Sequence, residues 1–184
     1  MHLRKSTFVP LMLVSVCIFF ITLAEGKGIT IVRNLDLDRF CGTWYEIARL
    51  PNKQEKGMVE VTSTISKKSN GKMEIVNNGY KGSHRGKKTV IKGEMIPHPK
   101  MSSWMKVKVW LFSLDYKIIH IDRKQYQYAL VTSSSDKYLW VLSRTPVMQA
   151  DVYDGLVDSA KQMGFEVDRL EKVTQLYNSA TVQK

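Results

Sequence analysis

Hydrophobic and polar positions alternate along most of this chain in short runs, each closed by turn residues. The first run, Thr43 to Leu50, stops at Pro51-Asn52. In the second, Met58 to Lys67, Val59, Val61, Ser63 and Ile65 alternate with Glu60, Thr62, Thr64 and Ser66. Asn70-Gly71 then supplies a two-residue hairpin turn. Met73, Ile75 and Asn77 alternate with Glu74, Val76 and Asn78 in a third run, and Gly79 to Gly86 is a basic, glycine-rich loop. Lys87 to Ile96 is the fourth run, closed by Pro97-His98-Pro99. Met105, Val107, Val109 and Leu111 alternate with Lys106, Lys108, Trp110 and Phe112 in the fifth. Tyr116 to Ile121, Tyr126 to Thr132 and Tyr138 to Arg144 complete eight, with Ser133 to Asp136 as the last hairpin loop. A period of two, hairpin-length breaks and no helix between strands predict an antiparallel barrel rather than an α/β fold.

After Pro146 the period lengthens to about 3.6, because Val152, Tyr153, Leu156, Val157, Ala160 and Met163 share one helical face. Gly155 inside that helix costs about 1 kcal/mol against alanine, so a packing reason for a small residue is expected there. Gly164 suits the left-handed residue that ends a helix, and Phe165 the apolar contact that follows it.

The 184 residues suit one domain. Residues 1–24 have the make-up of an export signal: His2, Arg4 and Lys5, then an apolar run from Phe8 to Leu23, then Ala24 or Gly26 for cleavage. The domain proper is then 25–184. Two alternatives are an uncleaved anchor and acylation at Cys17, although Val16 before that cysteine is large for lipoprotein processing. Without the leader Cys41 is the only cysteine, so no internal disulfide is available, and it reads as a small buried hydrophobe.

Charge narrows the partners. The net charge is +11, and Lys81, Arg85, Lys87, Lys88, Lys92, Lys100, Lys106 and Lys108 crowd one stretch. Such a stretch attracts anionic membranes or lipids, or simply keeps strand faces solvated. An export signal without a nucleic-acid motif sets nucleic acid aside. His84, His98 and His120 lack metal-ligand spacing, and no nucleophile elbow or phosphate loop is present. No catalytic residue, metal or cofactor is therefore assigned.

Three segments carry a resemblance. Gly42-Thr43-Trp44-Tyr45-Glu46-Ile47-Ala48-Arg49-Leu50 opens the series of strands, and Tyr138 to Pro146, with Arg144, closes it. Asp122-Arg123-Lys124-Gln125-Tyr126 lies between the sixth and seventh strands. In this order they resemble the lipocalins, in particular the bacterial and apolipoprotein D-like branch, from about Leu35 to about Gln175. The resemblance implies an eight-stranded antiparallel up-and-down barrel with the C-terminal helix packed outside it. Gly42, Trp44 and Arg144 would close its floor below a cavity. Asp36 would cap a short turn through Phe40 under Trp44, and Leu170 to Leu176 would add an edge strand.

The family's implied function is to bind, store or move a fatty acid or lysophospholipid at the cell envelope, by an exported periplasmic, outer-membrane-associated or secreted protein. Alternation from Trp44 places Glu46 and Ala48 inside. Trp110, Phe112, Tyr116, Tyr128 and Trp140, with Tyr80 and Trp104 behind them, are aromatic candidates for the cavity or its mouth. Ser113 to Tyr116 resembles the family's mouth loop, with Leu111 where bacterial relatives commonly have proline. Exposed aromatics there would meet a membrane surface or a second copy in a homodimer. Two rivals stand beside this reading: an enzyme on the same barrel using Cys41, His120 or Glu46, and a barrel filled by its own side chains.

Overall fold

The computed structural model describes residues 28–176, so the leader, its cleavage positions and Cys17 lie outside the described residues. A four-residue helix, α1 (Leu37–Phe40), precedes eight strands: β1 (Gly42–Arg49), β2 (Met58–Lys67), β3 (Met73–Lys81), β4 (Lys88–His98), β5 (Met101–Val109), β6 (Phe112–Ile121), β7 (Tyr128–Thr132) and β8 (Leu139–Ser143). Helix α2 (Ala150–Gln162), a 3₁₀ turn (Val167–Arg169) and the two-residue β9 (Glu171–Lys172) follow. Each strand pairs antiparallel with its successor, and β1 pairs with both β2 and β8, so the sheet closes on itself. Closure removes the exposed edges of an open sheet. The lower half of β1 pairs with β2. Its upper end pairs with β9 instead, and Gln175 Nε2 bridges the carbonyls of Glu46 and Val61 at 2.8 and 2.9 Å. The expected edge strand over Leu170 to Leu176 is thus a short wedge in the seam.

One hairpin differs from the sequence expectation. Val109 pairs with Phe112, which leaves Trp110 and Leu111 alone as the turn. The expected loop at Ser113 to Tyr116 is instead β6. Alternation continued unbroken through the turn, and Trp110, at φ +54°, takes a backbone conformation normally left to glycine or asparagine.

Two apolar clusters flank the wall. Inside lie Phe40, Trp44, Ile65, Met73, Ile75, Met95, Met105, Tyr116 and Ile118, among others. Outside, Leu156, Ala160 and Phe165 pack α2 against Leu130, Leu139 and Val141. The Phe165 N–H donates to Ala160 O at 3.2 Å and that of Gly164 to Lys161 O at 3.0 Å, with Gly164 at φ +94°. That pattern is the glycine-ended stop foreseen for this helix. Gly155 departs from expectation: a Cβ placed there meets nothing within 4 Å, so no packing requirement holds it.

A bulge in β1 decides which side chains face inward. Glu46 pairs with Leu142, but Ala48 pairs with Val141, so Ile47 is the extra residue. Below the bulge Trp44 and Glu46 face the interior; above it the parity reverses. Ala48 therefore sits in the outer cluster beneath α2, not in the cavity, and Arg49 takes the inward place opposite Trp140.

Candidate functional site

The floor is built on Arg144. Its guanidinium carbon lies 3.7 Å from the Trp44 ring centroid. Its nitrogens donate to the carbonyls of Tyr126 (3.2 Å), Thr43 (2.9 Å), Arg39 (2.7 Å), Phe40 (3.2 Å) and Cys41 (2.9 Å). One side chain thus ties β8 to α1, β1 and the β6–β7 turn. Gly42 is required beneath it, because φ is +103° and a Cβ would stand 3.1 Å from Arg144 Nη1. Trp44 Nε1 donates to Phe40 O at 2.9 Å. Asp36 caps α1 by accepting from the amides of Asp38 and Arg39, as its position in the sequence suggests. Asp122 holds the β6–β7 turn by accepting from the amides of Lys124, Gln125 and Gln127.

Higher in the barrel, Arg49 Nη1 meets Glu46 Oε1 at 2.7 Å, both side chains being buried. Arg49 Nη2 donates to the carbonyls of Glu55 (2.7 Å) and Met58 (3.2 Å), fastening the β1–β2 loop over the interior. The Glu55 carboxylate accepts from Asn52 Nδ2 at 2.6 Å and from Trp140 Nε1 at 2.9 Å. Burial pushes the Glu46 carboxyl up to about 8, with the charge of Glu55 adding to the rise and Arg49 opposing it. A second carboxylate nearby in a dry place favours a proton on the more buried Glu46.

The interior wall above the floor is apolar and adaptable. Met73, Met95 and Met105 line it, and a methionine fills irregular space readily. By alternation with these and with Tyr116, the side chains of Ile91, Leu114 and Phe112 also face inward nearer the mouth, yet they are 42%, 40% and 77% exposed. Inward-facing apolar side chains that water still reaches are what an open-mouthed cup presents. At its lip Trp110 and Leu111 are 96% and 97% exposed, as fully as side chains can be.

The predicted site residues therefore divide. Glu46, Tyr116 and Trp140 lie inside, Phe112 is at the rim and Trp110 is on the lip. Ala48 and Tyr128 do not belong with them, because both pack in the outer cluster under α2. For Tyr128 the reason is its register: β7 turns Ala129 and Val131 inward. Trp104 stacks on His98 at 4.8 Å on the outer wall, with Lys117 Nζ 4.8 Å from its ring. Tyr80 follows the inward Gly79 and faces out. Arg49, Asn52, Glu55 and Asn77 were not singled out. The Asn-x-x-Glu spacing of Asn52 and Glu55 is a capping signature that was readable; Arg49 was hidden by the bulge.

The residues of the rival enzyme make no hydrogen bond or ion pair with one another among the described residues. Cys41 lies at the floor, its thiol pushed up by burial although Lys67 opposes this. His120 is half-buried on β6, held down by burial. Of the basic stretch, Lys106 pairs with Asp115 at 2.6 Å and Lys81 donates to Lys56 O. Arg85, Lys87, Lys88, Lys92 and Lys108 make no ion pair among the described residues. Lys108 stands two residues from Trp110 and opposite Glu94, so free cations flank the lip.

Comparison with known proteins agrees with this architecture. Residues 35–175 match the family model described as a lipocalin-like domain. The outer membrane lipoprotein Blc of Citrobacter freundii is 37% identical over 151 residues, spanning 81% of this chain and 84% of its own. Temperature-induced lipocalin-1 of Arabidopsis thaliana is 31% identical, over 83% of this chain and 86% of its own. Bovine (Bos taurus) apolipoprotein D is 27% identical over 78% of each. Among solved structures, the cockroach allergen Per a 4 shares the fold with a TM-score of 0.65 at 22% identity, covering 80% of this chain and 93% of its own. With its barrel closed by Gly42, Trp44 and Arg144 and its match running over most of its length, the chain belongs to the lipocalin family, in the bacterial and apolipoprotein D-like branch.

Proposed function

We propose that this lipocalin carries a monoacyl amphiphile, a fatty acid or lysophospholipid, with the chain in the barrel and the polar head at the mouth. One observation carries the reading: apolar side chains at Ile91, Phe112 and Leu114 face inward above a sealed floor and are still exposed. Each methylene that replaces water against them gains roughly 0.8 kcal/mol. Lysines beside the mouth suit a phosphate or carboxylate head. The Trp110-Leu111 lip, flanked by Lys92 and Lys108, suits contact with an anionic bilayer, where a cation near the surface contributes about 1 kcal/mol. Export and residence at the cell envelope go with this role, since relatives at 37% and 32% identity are named outer membrane lipoproteins. The family's members are generally binding proteins, and among the described residues no side-chain base hydrogen-bonds Cys41 or His120.

The test is organic extraction of purified protein beginning at residue 25, with mass spectrometry of what is released. The expected result is about one fatty acid or lysophospholipid per barrel. A protein free of lipid that also fails to take up added fatty acid would overturn the reading.

A further inference from the structure

Besides Arg49 Nε beneath the β1–β2 loop, the barrel interior holds the Tyr116 hydroxyl and Asn77 Oδ1 buried with no hydrogen-bond partner. Tyr116 is the fifth residue of β6 and Asn77 the fifth of β3, and these strands stand three apart in the closed sheet. Tyr116 belongs to the interior cluster, and Asn77 shares the face of Met73 and Ile75, which do too. Met105 lies opposite Tyr116, and Asn77 stands between Ile91 and Ser63, yet neither Ser63 nor Glu46 hydrogen-bonds either atom. Phenylalanine and leucine would pack such a wall without stranding a donor or an acceptor, and buried polar groups are ordinarily paired. The Tyr116 phenol is held well above its usual range by burial and by the nearby charge of Glu46, so it stays a donor.

We infer that the barrel selects an acyl chain bearing a hydroxyl at mid-length, which accepts a hydrogen bond from Tyr116 and donates one to Asn77 Oδ1. The inference rests on the carrier reading above and deepens it. The head stays at the mouth, and the chain oxygen meets the two polar atoms where an unsubstituted chain would leave them unpaired. A ketone at the same carbon accepts from Tyr116 but has nothing to give Asn77, so it falls between the two.

The experiment is competition binding to the purified protein with stearate, with hydroxystearates carrying the hydroxyl at successive mid-chain carbons, and with the matching oxostearates. Wild type is expected to prefer one hydroxystearate over stearate by about tenfold, with its oxo counterpart intermediate. Tyr116→Phe removes an unpaired hydroxyl and keeps the ring. It should abolish the oxo preference and most of the hydroxy preference, read as affinity ratios to stearate within the same variant. Asn77→Leu should erase only the difference between hydroxy and oxo. Stearate bound as tightly as every oxygenated chain, or a preference that survives Tyr116→Phe, overturns the inference and leaves the carrier intact. Failure of all these ligands to bind strikes the carrier reading itself.

Discussion

The two ends of this barrel are built on opposite terms. At the floor the Arg144 guanidinium donates to backbone carbonyls from three directions, its face lies on Trp44, and Gly42 makes room for it. At the mouth Trp110 holds a positive φ with its side chain in water, Phe112 and Leu114 are wetted, and Glu46 is buried against Arg49 with the charge of Glu55 nearby. The floor spends its residues on closure, and the mouth keeps features that only a ligand or a surface would reward. Stability and function are thereby segregated along the strands, a division the fold permits because a closed barrel needs only one sealed end.

The contrast can be broken most forcefully at the floor. Trp44→Ala should lower unfolding free energy by about 3–5 kcal/mol, because a fully buried indole leaves a cavity and Arg144 loses its platform. Chemical denaturation measures it, and a loss below about 1 kcal/mol would mean that the floor does not hold the barrel.

The buried acids come next. Glu46 has a folded-state pKa of about 8 against 4.5 for an ordinary glutamate, so the folded state binds the extra proton between those values. Stability should be highest on this account below about pH 4.5 and should fall as pH rises through about 8. In Glu46→Gln that part of the pH slope should vanish, which denaturation at a series of pH values would reveal. An unchanged slope would place the carboxylate in a wetter or better-paired setting than the geometry indicates.

At the lip the sign should reverse. Trp110→Gly relieves a positive φ and gives up almost no packing, so it should stabilise the free protein by about 1 kcal/mol. The same variant should bind anionic vesicles more weakly than wild type in a sedimentation assay. Unchanged vesicle binding with a loss of dimer in gel filtration would make the lip a contact between copies instead. The smallest effect belongs to α2, remote from both ends, where Gly155→Ala should add about 0.5–1 kcal/mol to stability and leave lipid binding untouched.

Much of this architecture was legible in the sequence. Period-two runs marked the strands, the switch after Pro146 marked α2, and Gly42, Trp44 and Arg144 fell together at the floor as the resemblance implied. Site residues were less legible for a definite reason. Parity assigns faces only while the ladder is regular, and the extra residue at Ile47 turned Ala48 outward and Arg49 inward. The β5–β6 turn was missed because Trp110-Leu111 carries none of the usual turn residues, so alternation ran straight through it. Tyr128 failed differently: its strand has apolar residues on both faces, and period alone cannot choose between the lumen and the underside of a helix.

The most direct test of an upright cup is a fatty acid with a nitroxide at the far end of its chain, titrated into isotope-labelled protein. Paramagnetic broadening should centre on the amides around Met73, Met95 and Ile118, below Tyr116 on the inner wall, and spare α2. Broadening confined to the lip at Trp110 to Phe112, or spread over the outer face beneath α2, would contradict a chain buried in the barrel.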